Sequence, residues 1–368
     1  MKICKTQNTR VTVFTTKEIF SRIETYLEDK SQYEFVLKEE KESINNYLKR
    51  VEKICNERID LLLVNTIQMS CINIPHYLRL KPKSKMILTI HTVNHWLKKK
   101  FAFNPKNILR STDATISIFL ARQFILPKFY AINVVYPPIK DYVQKNTDYK
   151  KPVFTLPFNF FDESKKVTIS RDDNKIRFVV PGLIETFRRD YDLALNVFEK
   201  LFEKYNDKIS LCLLGKPVGP GGKRIIEKCE KLKQRGFNIS FSRGFVPEEE
   251  YDKILIENDI IFSPLNVKTK RATGIEEIYG TTEGSALPFE AIQYAKPLIV
   301  PKEFNIINEL KSSSITYDSP DDLEQIITSI ITDNKKLNEL KKNALKNSKN
   351  FSLPRLQKYF EDNILNIK

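Results

Sequence analysis

Short apolar runs alternate with amphipathic segments along almost the whole chain, and this alternation restricts the fold more than any other feature of the sequence. The runs that predict buried strands are residues 11–15, 60–64, 86–90, 114–118, 176–180, 209–214, 260–262 and 298–300. In the first half, helix-like segments lie between them near residues 17–29, 41–57 and 104–111. Continuous apolar strands separated by helices are typical of parallel sheets covered on both faces. The sequence therefore predicts an α/β protein.

The alternation stops near residue 160 and begins again at residue 176, which divides the chain into two units. A length of 368 residues also favours two domains over one. We predict two Rossmann-like, doubly wound domains, residues 1–160 and 176–350, that face a central cleft. Residues 155–175 are the predicted linker. Residues 351–368 are the predicted C-terminal helix, which we expect to pack on the N-terminal domain.

The composition argues against several classes of protein. There is no run of about 18 apolar residues, which a membrane-spanning helix requires, and the N-terminus lacks the apolar core of a signal peptide. The five cysteines are scattered and odd in number, unlike those of a disulfide framework. We therefore expect a cytoplasmic protein with reduced thiols.

The net charge of +15 is concentrated in the first half of the chain. Residues 1–175 contain 31 Lys and Arg against 18 Asp and Glu, and between Arg79 and Lys128 the only acid is Asp113. Such a cationic region favours an anionic partner, and we expect a membrane surface or a lipid phosphate. No RNA- or DNA-binding module is recognisable, so we do not expect nucleic acid. A solvated face without a partner is the alternative.

The segment that says most about function is residues 277–291, in which a small, polar, glycine-containing loop enters a helix with Pro288 in its first turn. The residues at the predicted start of this helix are Gly284, Ser285 and Ala286, and Ser285 is the predicted N-cap. Backbone N–H groups at such a start can bind phosphate, and Glu290, one turn later, is placed to accept hydrogen bonds from a ribose diol. An ordinary loop–helix–strand of an α/β domain is the alternative.

This block resembles the signature of glycosyltransferase family 4 (glycosyl transferases group 1), whose members have the GT-B fold. Other blocks match the family in the expected order over residues 176–310. The further residues that the resemblance assigns to donor binding are Gly182, Arg188 and Arg189 for the diphosphate, Gly215 at the next strand, and Phe245 and Val246 near the base. The likeness is weaker in the N-terminal half, as expected where acceptors differ.

Within that half, His91 follows a strand and resembles the family histidine that contacts the transferred sugar, although a structural histidine is the alternative. The chain also departs from the family pattern. Leu183 stands where many relatives have an arginine. The two family glutamates are usually separated by seven residues, whereas Glu283 and Glu290 are separated by six, so either Glu283 or Thr282 fills the first position.

The resemblance implies a retaining, metal-independent hexosyltransferase with His91 and Glu283 as catalytic residues. It would move a sugar from a nucleotide-sugar donor to a glycan or lipid-linked acceptor, in polysaccharide or glycolipid biosynthesis at the inner face of the membrane. The donor is a substrate, and no cofactor is expected. The alternative is a glycosyltransferase-like subunit that has lost activity and binds a partner or glycan. An epimerase or a phosphorylase on the same fold is a further rival.

Two apparent metal motifs have simpler explanations. His91 and His95 are four residues apart, but no third ligand with suitable spacing follows them. Asp190 and Asp192 form a DxD sequence at the start of a predicted helix, where acids cap the helix and favour its dipole. We therefore predict that the protein has no metal site.

Overall fold

The computed structural model describes residues 1–24, 27, 29–67, 70–98, 108–163, 175–270 and 274–366, without the side chains of residues 108–111. Most of the predicted linker lies outside these ranges. The same is true of Lys99, Lys100 and Lys106 in the cationic region.

The N-terminal lobe is built on two parallel sheets. The first pairs β1 (Val11–Thr16) with β2 (Tyr33–Lys38), and the second has the order β3 (Leu61–Val64), β4 (Lys85–Thr89), β5 (Ala131–Val134) and β6 (Val153–Thr155). Its helices are α1 (Lys17–Ile23), α2 (Ile44–Arg58), α3 (Ile74–Arg79), α4 (Val93–Leu97), α5 (Ile108–Leu120) and α6 (Pro137–Asn146). Ile87, Leu88 and Ile132 are at most 1% exposed, so the central strands are buried on both faces.

The C-terminal lobe contains one six-stranded parallel sheet and a short antiparallel hairpin. Its strands are β7 (Ile176–Pro181), β8 (Ile209–Leu214), β9 (Ile239–Phe241), β10 (Ile260–Phe262), the hairpin strands β11 (Lys268–Lys270) and β12 (Glu276–Ile278), β13 (Leu298–Pro301) and β14 (Ser314–Tyr317). Its helices are α7 (Tyr191–Tyr205), α8 (Gly219–Gln234), α9 (Glu248–Glu257), α10 (Leu287–Gln293), α11 (Pro320–Thr332) and α12 (Asn334–Ser348), and α13 (Leu353–Phe360) follows. The predicted α/β class is confirmed.

The strand order of the six-stranded sheet, β14-β13-β10-β7-β8-β9, defines a switch point. From β7 the chain moves outward to β8 and β9, and then crosses to β10 on the other side of β7. In doubly wound sheets, ligands bind in the crevice outside the carboxyl ends of the strands, where the direction of winding reverses. For this lobe, that crevice lies after β7 and β10.

Helix α7 shows why the acids of the DxD sequence lie where they do. Asp190 caps the helix, because its Oδ1 accepts a hydrogen bond of 2.9 Å from the N–H of Leu193. Asp192, in the first turn, pairs with Arg224 and Lys228 of α8, and hydrogen bonds from Arg224 lower its pKa to about 2. The prediction of a capping pair is confirmed for Asp190, and Asp192 serves the contact between two helices.

One predicted strand is wrong. Residues 114–118 lie inside α5, and the strand beside β4 is β5, which the pattern of apolar runs did not single out. The buried positions after residue 114 are Ser117, Ile118, Ala121 and Ile125, whose spacing is helical rather than alternating. A short apolar run does not distinguish a buried strand from a helix, and packing on the neighbouring elements decides.

The C-terminal residues lie against the N-terminal lobe. Leu356, Phe360 and Ile364 form an apolar cluster with Ile3, Ile87 and Ala131, and residues 351 and 352 pair with the backbone of Phe161. Across the ranges given above, no helix has the length and apolar character needed to span a membrane.

Candidate functional site

The loop after β7 is folded against the loop after β10 at the switch point. The N–H of Asp190 donates to the carbonyl of Pro264, and the N–H of Asn266 donates to the carbonyl of Arg188, at 2.7 and 2.8 Å. Arg189 forms an isolated β-bridge with Leu265. These contacts fix the basic pair at the carboxyl edge of the sheet.

Two glycines allow the Arg189 guanidinium to lie close to the backbone. Gly182 has φ +96°, and a Cβ there would come within 2.7 Å of Arg189 Nη2. Gly215, at the end of β8, has φ +154°, and a Cβ there would come within 2.2 Å of the Gly182 carbonyl oxygen. Both positions therefore require glycine, for conformation as well as for space.

Arg189 combines partnered and unpartnered nitrogens. Nη2 donates to the carbonyl of Pro181 at 2.7 Å, and Nη1 donates to the carbonyl of Leu183 at 3.1 Å. Its buried Nε has no hydrogen-bond partner among the described residues, and neither does the buried hydroxyl of Ser263, which follows β10. Buried donors are normally satisfied, so an unpaired guanidinium nitrogen at a switch point marks a position suited to an anionic ligand.

Glu290, on α10, is brought to the same place. Its Oε1 accepts a hydrogen bond of 2.6 Å from the hydroxyl of Tyr251 on α9. Burial raises the pKa of Glu290 above its ordinary value, while this hydrogen bond and the charge of Arg189 act in the opposite direction. The carboxyl group thus lies within electrostatic reach of Arg189, although the two residues are 101 positions apart in sequence.

The two lobes touch at the loop that leads into α10. The N–H of Gly284 donates to the His91 carbonyl at 3.1 Å, and the N–H of Val93 donates to the Thr282 carbonyl at 2.8 Å. Thr92 and Glu283 form an antiparallel bridge between the lobes. Gly284 allows this approach, because a Cβ there would come within 2.5 Å of Val135.

Ser285 and its neighbours differ in detail from the expected phosphate-binding helix start. The N–H of Ser285 donates to the Tyr136 hydroxyl at 3.2 Å, and that hydroxyl in turn donates to the Ser285 carbonyl. The helix cap is Ala286, which is exposed, while Ser285 Oγ accepts from the N–H of Leu287. The amides of residues 284 and 285 therefore have partners in the N-terminal lobe.

Neither candidate for the first family glutamate position is exposed. The carboxylate of Glu283 accepts a hydrogen bond of 3.2 Å from Thr269, and the residue is 3% exposed. Thr282 is fully buried, and its hydroxyl accepts from the N–H of Ile278 in the same loop. The predicted contact of Glu283 with the sugar stays a prediction.

His91 lies where the sequence placed it, directly beyond β4. Its ring stacks on Phe158 with centroids 5.2 Å apart, and Nε2 is 3.2 Å from the Asn65 carbonyl oxygen. Phe158 also meets Phe289 of α10 edge to face. The histidine thus stands at the boundary between the lobes.

The remaining predicted donor residues are more dispersed. Arg188 Nε pairs with Glu185 at 2.8 Å, so its charge already has a partner within the loop. Phe245 follows β9 and is 82% exposed, whereas Val246 packs partly against the core. An exposed phenylalanine beyond a strand's carboxyl end is available to a flat ligand such as a nucleotide base.

Two residues that the sequence did not reveal hold this arrangement together. Tyr251 orients Glu290, and Glu277 of β12 binds α4 of the other lobe. A third residue that was missed, Tyr136, could have been found from the sequence. It directly follows the strand-like run 131–135, and residues beyond strand ends face ligand crevices. No described group of three His, Cys, Asp or Glu side chains has the arrangement of a metal site.

Comparison with known proteins gives a likeness of fold. No protein-family model matches the chain, and no curated protein matches it in sequence. Among solved structures, an α-glucosyltransferase in complex with UDP-glucose and DNA containing an abasic site is 11% identical, with a TM-score of 0.59 over 97% of this chain and 99% of that one.

Two further structures extend the comparison. HepE of Anabaena, in complex with UDP and glucose, has a TM-score of 0.59 at 11% identity, covering 97% of this chain and 100% of its own. A UDP-forming trehalose-phosphate synthase of Burkholderia xenovorans has a TM-score of 0.56 at 10% identity, covering 88% and 77%. The chain has the GT-B fold. That prediction is confirmed, while membership of family 4 stays a prediction.

Proposed function

We propose that the protein is a glycosyltransferase that uses a nucleoside-diphosphate sugar as donor. The observation that carries this proposal is the convergence of Arg189 and Glu290 at the switch point of the C-terminal sheet, with Arg189 Nε buried and unpaired among the described residues. A guanidinium suits a diphosphate, and a carboxylate suits the two hydroxyls of a ribose.

The proposed chemistry places charge stabilisation on Arg189. The bond from the anomeric carbon to the diphosphate oxygen breaks with its electron pair going to that oxygen, the acceptor oxygen forms a bond to the same carbon with retention of configuration, and the acceptor's proton passes to the departing diphosphate. Negative charge builds on the leaving diphosphate, and each strong preorganised donor there contributes roughly 3 kcal/mol to lowering the barrier. His91, Glu283 and the contact between the lobes would enclose the sugar and exclude water.

UDP-glucose is the first donor to test, because two proteins of similar fold were solved with UDP-glucose or with UDP and glucose. We expect release of UDP that depends on an added glycan or lipid-linked acceptor. Glu290→Ala should reduce transfer by at least about 100-fold through loss of ribose binding, whereas Glu249→Ala, an exposed carboxylate on α9, should not.

The outcomes of this experiment separate the alternatives. Full activity of Glu290→Ala would refute the assignment of Glu290. A thermal shift with UDP but no turnover with any donor or acceptor would favour the inactive, partner-binding subunit. Turnover of the donor without an acceptor would favour an epimerase, and a requirement for inorganic phosphate would favour a phosphorylase.

We also propose a glycan or lipid-linked acceptor and a peripheral position on an anionic membrane in the cytoplasm, within polysaccharide or glycolipid biosynthesis. The cationic N-terminal lobe supports this. Not all of its lysines contribute, because Lys128 binds the carbonyls of Tyr77, Leu78 and Leu80, and Lys151 binds those of Pro127 and Phe129. The other described lysines between Arg79 and Lys128 are Lys81, Lys83, Lys85 and Lys98, of which Lys85 and Lys98 lie over the rings of Tyr130 and Tyr142.

A further inference from the structure

One face of α5 presents large apolar side chains outward. Ile116 and Phe119 are 46% and 48% exposed, and Phe124, just beyond the helix, is 51% exposed. The opposite face is already buried, since Ile118 and Ala121 are at most 2% exposed. The buried face of the helix is thus formed by other residues, and exposed side chains of this size in one place indicate an interaction surface.

A turn beside α5 adds a fourth apolar residue. The N–H of Cys71 donates to Asp113 Oδ1 at 2.9 Å, and the Ser117 hydroxyl donates to Cys71 Sγ at 3.5 Å. This holds Ile72, which is 80% exposed, next to the helix. The same bond engages the carboxylate of Asp113, the only acid between Arg79 and Lys128.

The sequence that precedes this face carries charge of one sign. In sequence, the stretch that leads into α5 from Lys98 to Arg110 contains five Lys and Arg and no acid. Such a combination of exposed Ile and Phe with adjacent cations is typical of surfaces that enter the headgroup region of anionic bilayers.

We propose that Ile72, Ile116, Phe119 and Phe124 form a membrane-docking face that inserts into an anionic lipid surface. A nucleic acid would use the cations but gain little from exposed isoleucines. The core of a protein interface is depleted in lysine, whereas lysine-rich sequence flanks this face. The inference deepens the membrane partner put forward under the proposed function.

The position of this face suits an acceptor held in a bilayer. Arg122, between Phe119 and Phe124, donates from Nε to the His95 carbonyl at 2.9 Å and from Nη2 to the Asn94 carbonyl at 2.9 Å. Both carbonyls belong to α4, which begins two residues after His91. One helix therefore separates the docking face from the boundary between the lobes.

The test compares isoleucines of equal exposure on two helices of the same lobe. Ile116→Ser, alone and combined with Phe119→Ser and Phe124→Ser, is compared with Ile19→Ser on α1, where Ile19 is 50% exposed. Flotation is measured with phosphatidylcholine vesicles, with and without about 30 mol % phosphatidylglycerol. We expect the full-length protein to bind the anionic vesicles only, and less well in about 0.5 M NaCl.

Ile116→Ser alone should weaken vesicle binding about tenfold and the triple variant should weaken it further, whereas Ile19→Ser should change it by less than about twofold. Circular dichroism checks that the variants melt as the unaltered protein does. Vesicle binding by the triple variant that equals that of the unaltered protein would overturn the proposal. Two other results would also overturn it. In the first, the unaltered protein binds duplex DNA but not vesicles, and the triple variant loses the DNA binding. In the second, the unaltered protein is a dimer and the triple variant is a monomer.

A thermal shift with UDP on the same samples separates this proposal from the proposed function. If the protein responds to UDP but does not bind vesicles, the docking face is refuted and the donor site stands. If vesicle binding depends on the face but UDP and GDP have no effect, the docking face stands and the donor proposal is refuted.

Discussion

Glu290 is held by contacts that its own sequence neighbourhood does not contain. The Tyr251 hydroxyl donates to it from α9, and the charge of Arg189 reaches it from the loop after β7. Burial raises the pKa of Glu290, so without these two groups the carboxyl would be protonated at a still higher pH. Tyr251 therefore acts as a positioning residue whose hydrogen bond also favours the ionised form of Glu290.

Tyr251→Phe tests this role. Loss of the hydroxyl removes a contribution that lowers the pKa of Glu290, so the carboxylate is lost at a higher pH as the solution is acidified. Because the ionised form is the better acceptor for ribose hydroxyls, UDP affinity should begin to fall at higher pH in the variant. Calorimetry with UDP from pH 5 to pH 8 measures this, and we expect about tenfold weaker binding near the midpoint.

Tyr294→Phe is the matched control, since the Tyr294 hydroxyl donates to Asp252 rather than to Glu290. Tyr294→Phe should not change the pH dependence of UDP binding. Equal profiles for Tyr251→Phe and the unaltered protein would contradict the positioning role.

At the scale of single residues, the sequence predicts features that depend on neighbouring positions in the chain. A strand that ends in a glycine, followed by two arginines, placed Gly182 and Arg189 correctly at the carboxyl edge of a sheet. Tyr251 is 39 residues from Glu290, and no local pattern connects them. Likewise, the pairing of Arg188 with Glu185 depends on how the loop turns, which the order of residues does not show.

Among the elements, β12 does more than close a hairpin. Glu277, fully buried, reaches from the C-terminal lobe to the start of α4, where its Oε1 accepts from the N–H and the ring Nδ1 of His95 at 2.9 and 2.8 Å. Its Oε2 accepts from the N–H of Asn94 at 3.3 Å. The carboxylate thereby fixes the helix that follows His91 against the C-terminal lobe.

Glu277→Ala should uncouple the lobes more than it affects the donor site. It leaves three buried donors without an acceptor, and each unsatisfied donor costs about 1–3 kcal/mol in the free energy of unfolding. We expect kcat to fall. The Kd for UDP should stay within about twofold, because the proposed donor site at Arg189 and Glu290 does not include Glu277. Glu277→Gln should have a smaller effect, because its amide oxygen keeps an acceptor.

The neighbouring exposed carboxylate provides the control. Glu276→Ala, whose side chain is 45% exposed and lies near Lys270, should leave both kcat and stability unchanged. Weakening of UDP binding by Glu277→Ala in proportion to the loss of kcat would count against a role in coupling the lobes.

The elements themselves are predictable to different degrees. Strands β8 and β10 coincide with their predicted bounds, because a run of apolar residues is flanked by helices long enough to show their own period. The strand predicted over residues 114–118 is wrong because α5 is apolar on its outward face as well as its inward face, which hides the helical period. The contact between β12 and α4 joins residues 182 apart and had no sequence signal.

At the scale of the molecule, the repeated alternation of strands and helices predicted two doubly wound domains, and the resemblance of residues 176–310 to glycosyltransferase family 4 predicted the GT-B fold. The alternation did not predict that the lobes meet through backbone hydrogen bonds at His91 and Gly284. Nor does the alternation fix where the last helix lies, because its contacts are with the N-terminal residues that precede β1 and with β4 and β5. Phe360 is 3% exposed and packs in one cluster with Ile3 and Ile87.

Phe360→Ala should therefore destabilise the N-terminal lobe from the opposite end of the sequence. Loss of a buried aromatic ring costs roughly 3–5 kcal/mol, and we expect hydrogen exchange to quicken first in β4 and β5, which the cluster covers. Phe187→Ala, at a residue 49% exposed in the C-terminal lobe, should change stability by less than about 0.5 kcal/mol. Faster exchange confined to the six-stranded sheet would show instead that α13 supports the lobe that precedes it in sequence.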